Sequence, residues 1–122
     1  MKPTVLVVDD SAVVRIQASG ALGAAGYVVL EAVDGLDAVD KLAIGPAIAL
    51  IFCDVNMPRM TGIEFLEALF ARGVAIPPVV MLTTEGHPQL IQRAKACGAK
   101  GWMLKPFKPE MLVSTAKKLI AA

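Results

Sequence analysis

The sequence predicts an α/β fold of five strand-helix units wound on both faces of a parallel sheet, and three observations carry that expectation. Short unbroken apolar runs alternate along the chain with longer amphipathic segments. Glycines, prolines and helix-capping residues stand where the segments change over. Hydrophobic residues make up 56% of the 122 positions and charged residues 19%, which suits strands buried on both faces and excludes a disordered chain.

Taken in order, the run Val5-Leu6-Val7-Val8 is the first strand, and Asp9-Asp10-Ser11 leads from it into a helix over 12–25 that Gly26 ends. Gly20 and Gly23 interrupt that helix at about 1 kcal/mol each relative to alanine, so they are expected where it comes close to the sheet. Tyr27-Val28-Val29-Leu30 is the second strand, and Asp34 opens a helix over 35–44. Leu50-Ile51-Phe52-Cys53 is the third strand and stops at Asp54. Thr61 opens the third helix, over 61–71, with Ile63, Leu66, Leu69 and Phe70 on one face and Glu64, Glu67 and Ala71 on the other, and Gly73 follows it. Val79-Val80-Met81-Leu82 is the fourth strand, running into Thr83-Thr84 before a helix over 88–97 closed by Gly98. Trp102-Met103-Leu104 is a short fifth strand ending at Lys105-Pro106, and Lys108-Pro109 opens the last helix, over 109–121.

One domain spanning 1–122 is expected, since this length buries a core without disulfides or a structural metal and no repeat or linker divides it. The apolar run before Asp9 is too short for a signal peptide, and no run approaches the ~18 residues of a membrane span. A cytoplasmic protein with no membrane association is the expectation. Cys53 and Cys97 lie in apolar contexts without a C-x-x-C pattern and read as reduced core thiols. The formal net charge of +1 favours no nucleic acid partner. The charges are unevenly spread, however: from Arg93 onward Arg93, Lys95, Lys100, Lys105, Lys108, Lys117 and Lys118 face a single acid, Glu110. That basic third is either a solvated helical face or a docking surface for an acidic partner.

Open parallel sheets bind ligands beyond the carboxyl ends of their strands. There the sequence places Asp9-Asp10, Asp54, Thr83-Thr84 and Lys105. Singly each has an ordinary explanation: Asp10 or Ser11 as a helix cap, Asp54 as a turn residue, Thr83 as a loop hydroxyl, Lys105 as a solvated end. Together they bring three carboxylates, a hydroxyl and an ammonium to one crevice. Such carboxylates stay ionised only if a cation joins them, and Mg²⁺ takes hard oxygen ligands together with phosphoryl oxygens. Lys105 and Thr83 would serve the remaining phosphoryl oxygens, leaving Asp54 as the nucleophile that forms an acyl phosphate.

The segments VLVVDDSAVVR, FCDVNMPRMTG, VVMLTTE and GWMLKPF resemble, in order and spacing, the receiver domain of bacterial response regulators, most of all the free-standing chemotaxis (CheY-like) type. The resemblance covers essentially the whole chain and implies the flavodoxin-like strand order 2-1-3-4-5. It implies that Asp54 is the phosphoacceptor and that Asp10 and Asp54 hold Mg²⁺ directly, with the Asn56 backbone carbonyl, while Asp9 acts through water. It makes Thr83 the switch hydroxyl, Lys105 the phosphate-pairing lysine, with Lys105-Pro106 cis, and Trp102 the aromatic that changes rotamer. Asn56 and Glu85 would orient the water that removes phosphate. The implied partners are a histidine kinase or phosphotransfer protein and a downstream protein with an acidic docking segment, met by a monomer. Thr84 and Trp102 are bulkier than the residues common at their positions, which bears on access to the site and on the completeness of the switch. Two other readings stand beside this one: an interaction module that works unphosphorylated, and an aspartate-nucleophile phosphatase, whose usual D-x-D after the first strand is lacking here.

Overall fold

The structure, a computed structural model, describes residues 2–72, 76–84 and 88–120. Five strand-helix units follow one another: β1 (Thr4–Val8), α1 (Ala12–Ala24), β2 (Val28–Ala32), α2 (Gly35–Ile44), β3 (Leu50–Asp54), α3 (Gly62–Ala71), β4 (Val79–Thr83), α4 (Pro88–Ala96), β5 (Gly101–Leu104) and α5 (Pro109–Ile120). The strands form one parallel sheet in the order β2-β1-β3-β4-β5. The doubly wound fold and its strand order are therefore as expected.

Every residue of β1, β3 and β4 is buried, which is why these strands read as continuous apolar runs. Successive side chains point to opposite faces, so Leu6, Val8, Ile51 and Cys53 join α2, α3 and α4 in one core. Val5, Val7, Leu50 and Phe52 join α1 and α5 in the other. Each fully buried large apolar side chain contributes roughly 1.5–3 kcal/mol, and this two-sided packing fixes the register of the strand ends.

Helix starts follow local chemistry. Ser11, Asp34 and Thr61 cap α1, α2 and α3, and Thr61 forms a capping box with Glu64. Gly26 and Gly98 follow their helices at positive φ, as helix-ending glycines do. Gly73 lies outside the described residues.

Several expectations need correction. β2 runs on to Ala32 because it is an edge strand, where Glu31 remains exposed without breaking the pairing Val7↔Glu31. Gly20 and Gly23 do not face the sheet: both are exposed, and a Cβ at either would meet nothing within 4 Å. On α3 the buried stripe passes through Gly62, Ile63, Phe65, Leu66 and Leu69 and leaves Phe70 56% exposed at its edge. Cys53 is fully buried, whereas Cys97 packs only at the margin of the core. No helix among the described residues is long and apolar enough to cross a membrane.

Candidate functional site

The carboxyl ends of β1, β3, β4 and β5 converge on one rim. Asp9, directly after β1, is fully buried; one of its oxygens accepts the Ser11 N–H at 2.9 Å and the other accepts Lys105 Nζ at 2.6 Å. Lys105, directly after β5, also stands 3.2 Å from an oxygen of Asp54, the last residue of β3. Asp10 is exposed beside them, and the cap of α1 is supplied by the Ser11 hydroxyl, so Asp10 has no structural duty there. A ligand oxygen from each of Asp9, Asp10 and Asp54 lies within 4.8 Å of the others, the only such acidic cluster among the described residues.

The backbone holds this arrangement. Thr83, 1% exposed at the end of β4, accepts the Lys105 N–H on its carbonyl at 2.7 Å and so aims the lysine into the cluster. The Lys105-Pro106 bond is cis, as expected. Gly62 packs so closely on the Asp54 carbonyl that a Cβ would come within 2.0 Å of its oxygen, which explains the glycine at that position. Asn56 is exposed in the loop that follows β3. Thr84 is exposed and borders a cleft of about 300 Å³ with Val14, Gln17, Lys105, Pro106 and Phe107, open beside the cluster. Glu85 lies outside the described residues.

Electrostatically the pocket is short of positive charge. Burial, with the Asp9 carboxylate adding to it, pushes the Asp54 carboxyl up to about 6, against the pull of Lys105. Burial also works to lower Lys105, but its hydrogen bond to Asp9 and the two carboxylates outweigh that and hold the ammonium above its ordinary value. Burial drives the adjacent Cys53 thiol far above its normal range, so it remains a protonated core group. One ammonium faces three carboxylates, and these hard oxygen donors fit a small divalent cation that would relieve the repulsion on Asp54.

Trp102 packs half-buried against the core beside α4, and its indole N–H is the one buried side-chain polar atom without a hydrogen-bond partner among the described residues. Two groups that sequence reasoning missed support the rim. Arg15 on α1 donates to the Asp9 carbonyl at 2.7 Å and to Glu31 at 3.2 Å. Arg59 donates to Asp34 at 2.6 Å across 25 residues of sequence. The arginine that follows Met57-Pro58 in a turn was the only sequence signal of the second pair.

Residues 5–117 match the family described as the response regulator receiver domain. The chemotaxis protein CheY of Treponema pallidum is 40% identical over 107 residues, covering 84% of this chain and 72% of that protein. CheY1 of Helicobacter pylori is 36% identical over 110 residues, 88% of each. Among solved structures, the chemotaxis protein CheY4 of Vibrio cholerae superposes with a TM-score of 0.90 at 42% identity, covering 98% of this chain and 99% of that one.

Proposed function

This chain belongs to the response regulator receiver domain family, and we propose that it is a chemotaxis-type switch in which Asp54 accepts a phosphoryl group from a histidine kinase or phosphotransfer protein with Mg²⁺ bound. The observation that carries this reading is the convergence of Asp9, Asp10 and Asp54 with Lys105 on one rim. Proteins of this kind are signalling components, not conventional enzymes.

In this reading Asp10, Asp54 and the Asn56 carbonyl would hold the ion directly, and Asp9 would act through water. When bound, Mg²⁺ supplies the positive charge that the acidic cluster and the phosphoryl oxygens lack. A carboxylate oxygen of Asp54 attacks the phosphorus of a phosphoimidazole; the new P–O bond forms as the P–N bond breaks, and the imidazole leaves with its electron pair. Lys105 already touches Asp54 and needs only to shift its ammonium from carboxylate to phosphoryl oxygen. The Thr83 hydroxyl turns toward another phosphoryl oxygen. Asn56 and Glu85 then orient the water that restores the carboxylate, which makes the phosphoryl group labile.

Inward movement of Thr83 opens space beside β5 that the Trp102 ring fills; the phosphoryl group interacts better with this conformation and so biases a two-state equilibrium toward it. The surface that changes is the one formed by α4, β5 and α5. Its cleft of about 620 Å³ combines Lys100, Lys108 and Lys118 with the apolar Leu104, Phe107 and Met111. That mixture suits a downstream protein offering an acidic segment with apolar anchors.

Trp102 is the only tryptophan, so its fluorescence reports on both steps. The expected result is a response to Mg²⁺ followed by a second change on adding a small phosphodonor, the second absent in Asp54→Asn. A donor response that persists in the variant, or a wild type that ignores Mg²⁺, overturns the reading.

A further inference from the structure

The loop between β3 and α3 carries Asn56, and it is anchored at both ends. The Val55 N–H bonds the Leu82 carbonyl at 3.0 Å, and the Gly62 N–H bonds the Val55 carbonyl at 2.9 Å. Between these anchors Arg59 is the one residue other than glycine with positive φ among the described residues, at 65°. The Met60 N–H reaches back to the Pro58 carbonyl at 2.7 Å, closing a tight γ-turn around it. A left-handed backbone is unfavourable for a residue with a Cβ and persists only where the surroundings enforce it.

Here they do so through two adjacent side chains. Arg59 places Nε 2.6 Å from Oδ2 of Asp34, a carboxylate 3% exposed at the start of α2. Met60 lies over Gly35, where a Cβ would come within 2.7 Å of its side chain. Asp34 is itself fixed, because its other oxygen caps α2 by accepting the Asp37 N–H at 2.9 Å. The two oxygens of one buried carboxylate thus have separate tasks, one for the helix and one for the loop.

We propose that the Arg59–Asp34 ion pair is a positioning device: it clamps the β3-α3 loop to the β2-α2 corner and sets the Asn56 carbonyl, and with it the affinity of the acidic pocket for a divalent cation. The inference rests on the reading in which that carbonyl is a ligand. Neither Arg59 nor Asp34 touches the cation; both act through the backbone between Asn56 and Arg59.

The test is Mg²⁺ titration of the full chain, followed by Trp102 fluorescence and by calorimetry, for wild type, Arg59→Ala, Asp34→Asn, the double variant and Arg59→Lys. Asparagine keeps the oxygen that caps α2 but cannot accept from the guanidinium on its amide nitrogen. Each single variant is expected to weaken Mg²⁺ about tenfold, the size of effect that supporting partners of metal ligands show. The double variant should be no weaker than either single one, and Arg59→Lys should recover part of the loss. Simple electrostatics predicts otherwise, since removing a cation would tighten Mg²⁺ while removing an anion would weaken it. Opposite shifts in the two single variants, or wild-type affinity in Arg59→Ala, overturn the proposal. A wild type that binds no Mg²⁺ overturns the metal reading itself and this inference with it.

Discussion

Asp34 and Asp54 are both closed to water, at 3% and 5% exposure, but Asp34 lies just beneath the surface and Asp54 deeper among protein groups, and their surroundings drive the two carboxyls in opposite directions. At the β2-α2 corner the Asp37 N–H outweighs the effect of burial and, with Arg59 adding to it, holds Asp34 below the ordinary carboxylate range. At the end of β3, burial and the neighbouring Asp9 carboxylate push Asp54 up to about 6 even though Lys105 is in contact. Loss of water contact alone therefore does not decide the state of a carboxyl; depth within the protein and the supply of donors decide it together. The satisfied acid is a structural joint, and the under-supplied one is the carboxyl that the proposed function assigns to a cation and a phosphoryl group.

Substitution is the strongest way to break this comparison. Asp34→Ala removes a helix cap and the acceptor of Arg59 and should destabilise the metal-free chain by about 2 kcal/mol, most of it from the cap. Asp54→Asn should do the reverse and stabilise it by roughly 2 kcal/mol at neutral pH, the scale of ionising a carboxyl so far above its normal value. Urea denaturation in a chelator measures both, and shifts of the same sign would erase the distinction.

The pH dependence gives a finer view. Between the ordinary value of 3.8 and about 6, the folded chain keeps a proton on Asp54 that the unfolded chain has released. Stability from this group is therefore present at lower pH and lost as the pH rises through that interval. The Asp34 contribution has the opposite sign, present above its unfolded value and lost as the pH falls through its lowered folded one. Denaturation midpoints of Asp54→Asn should lack the decline expected of wild type over that window, while Asp34→Asn should keep it.

A smaller effect comes from ligand linkage. Mg²⁺ at ten times its dissociation constant should stabilise wild type by about 1.4 kcal/mol and Asp54→Asn by almost nothing. The smallest prediction is a control at neither carboxylate: Gly20→Ala, exposed on α1 with open space for a Cβ, should stabilise by about 0.5–1 kcal/mol without altering Mg²⁺ affinity. A thermal melt with and without the ion checks both.

The central strands were legible because burial on both faces leaves continuous apolar runs, and the rim acids were legible because each ends such a run. The edge was harder to read: Glu31 looked like the end of β2, although an edge strand can carry an exposed charge that pairs with Arg15. Gly20, Gly23 and Phe70 were misplaced because helical periodicity gives the spacing of a face but not which part of it the sheet covers. The partners of the two supporting arginines were hidden for a different reason. Arg59 finds Asp34, and Arg15 finds Glu31, only after the chain has folded, and no local spacing encodes pairs so distant in sequence.

Intact-mass measurement after incubation with Mg²⁺ and a small acyl phosphate donor tests the central claim most directly. The account predicts a single phosphoryl group on wild type, dependent on Mg²⁺, removed by hydroxylamine as an acyl phosphate is, and absent from Asp54→Asn. A phosphoryl group that survives in Asp54→Asn, or wild type that stays unmodified while binding Mg²⁺, would contradict it.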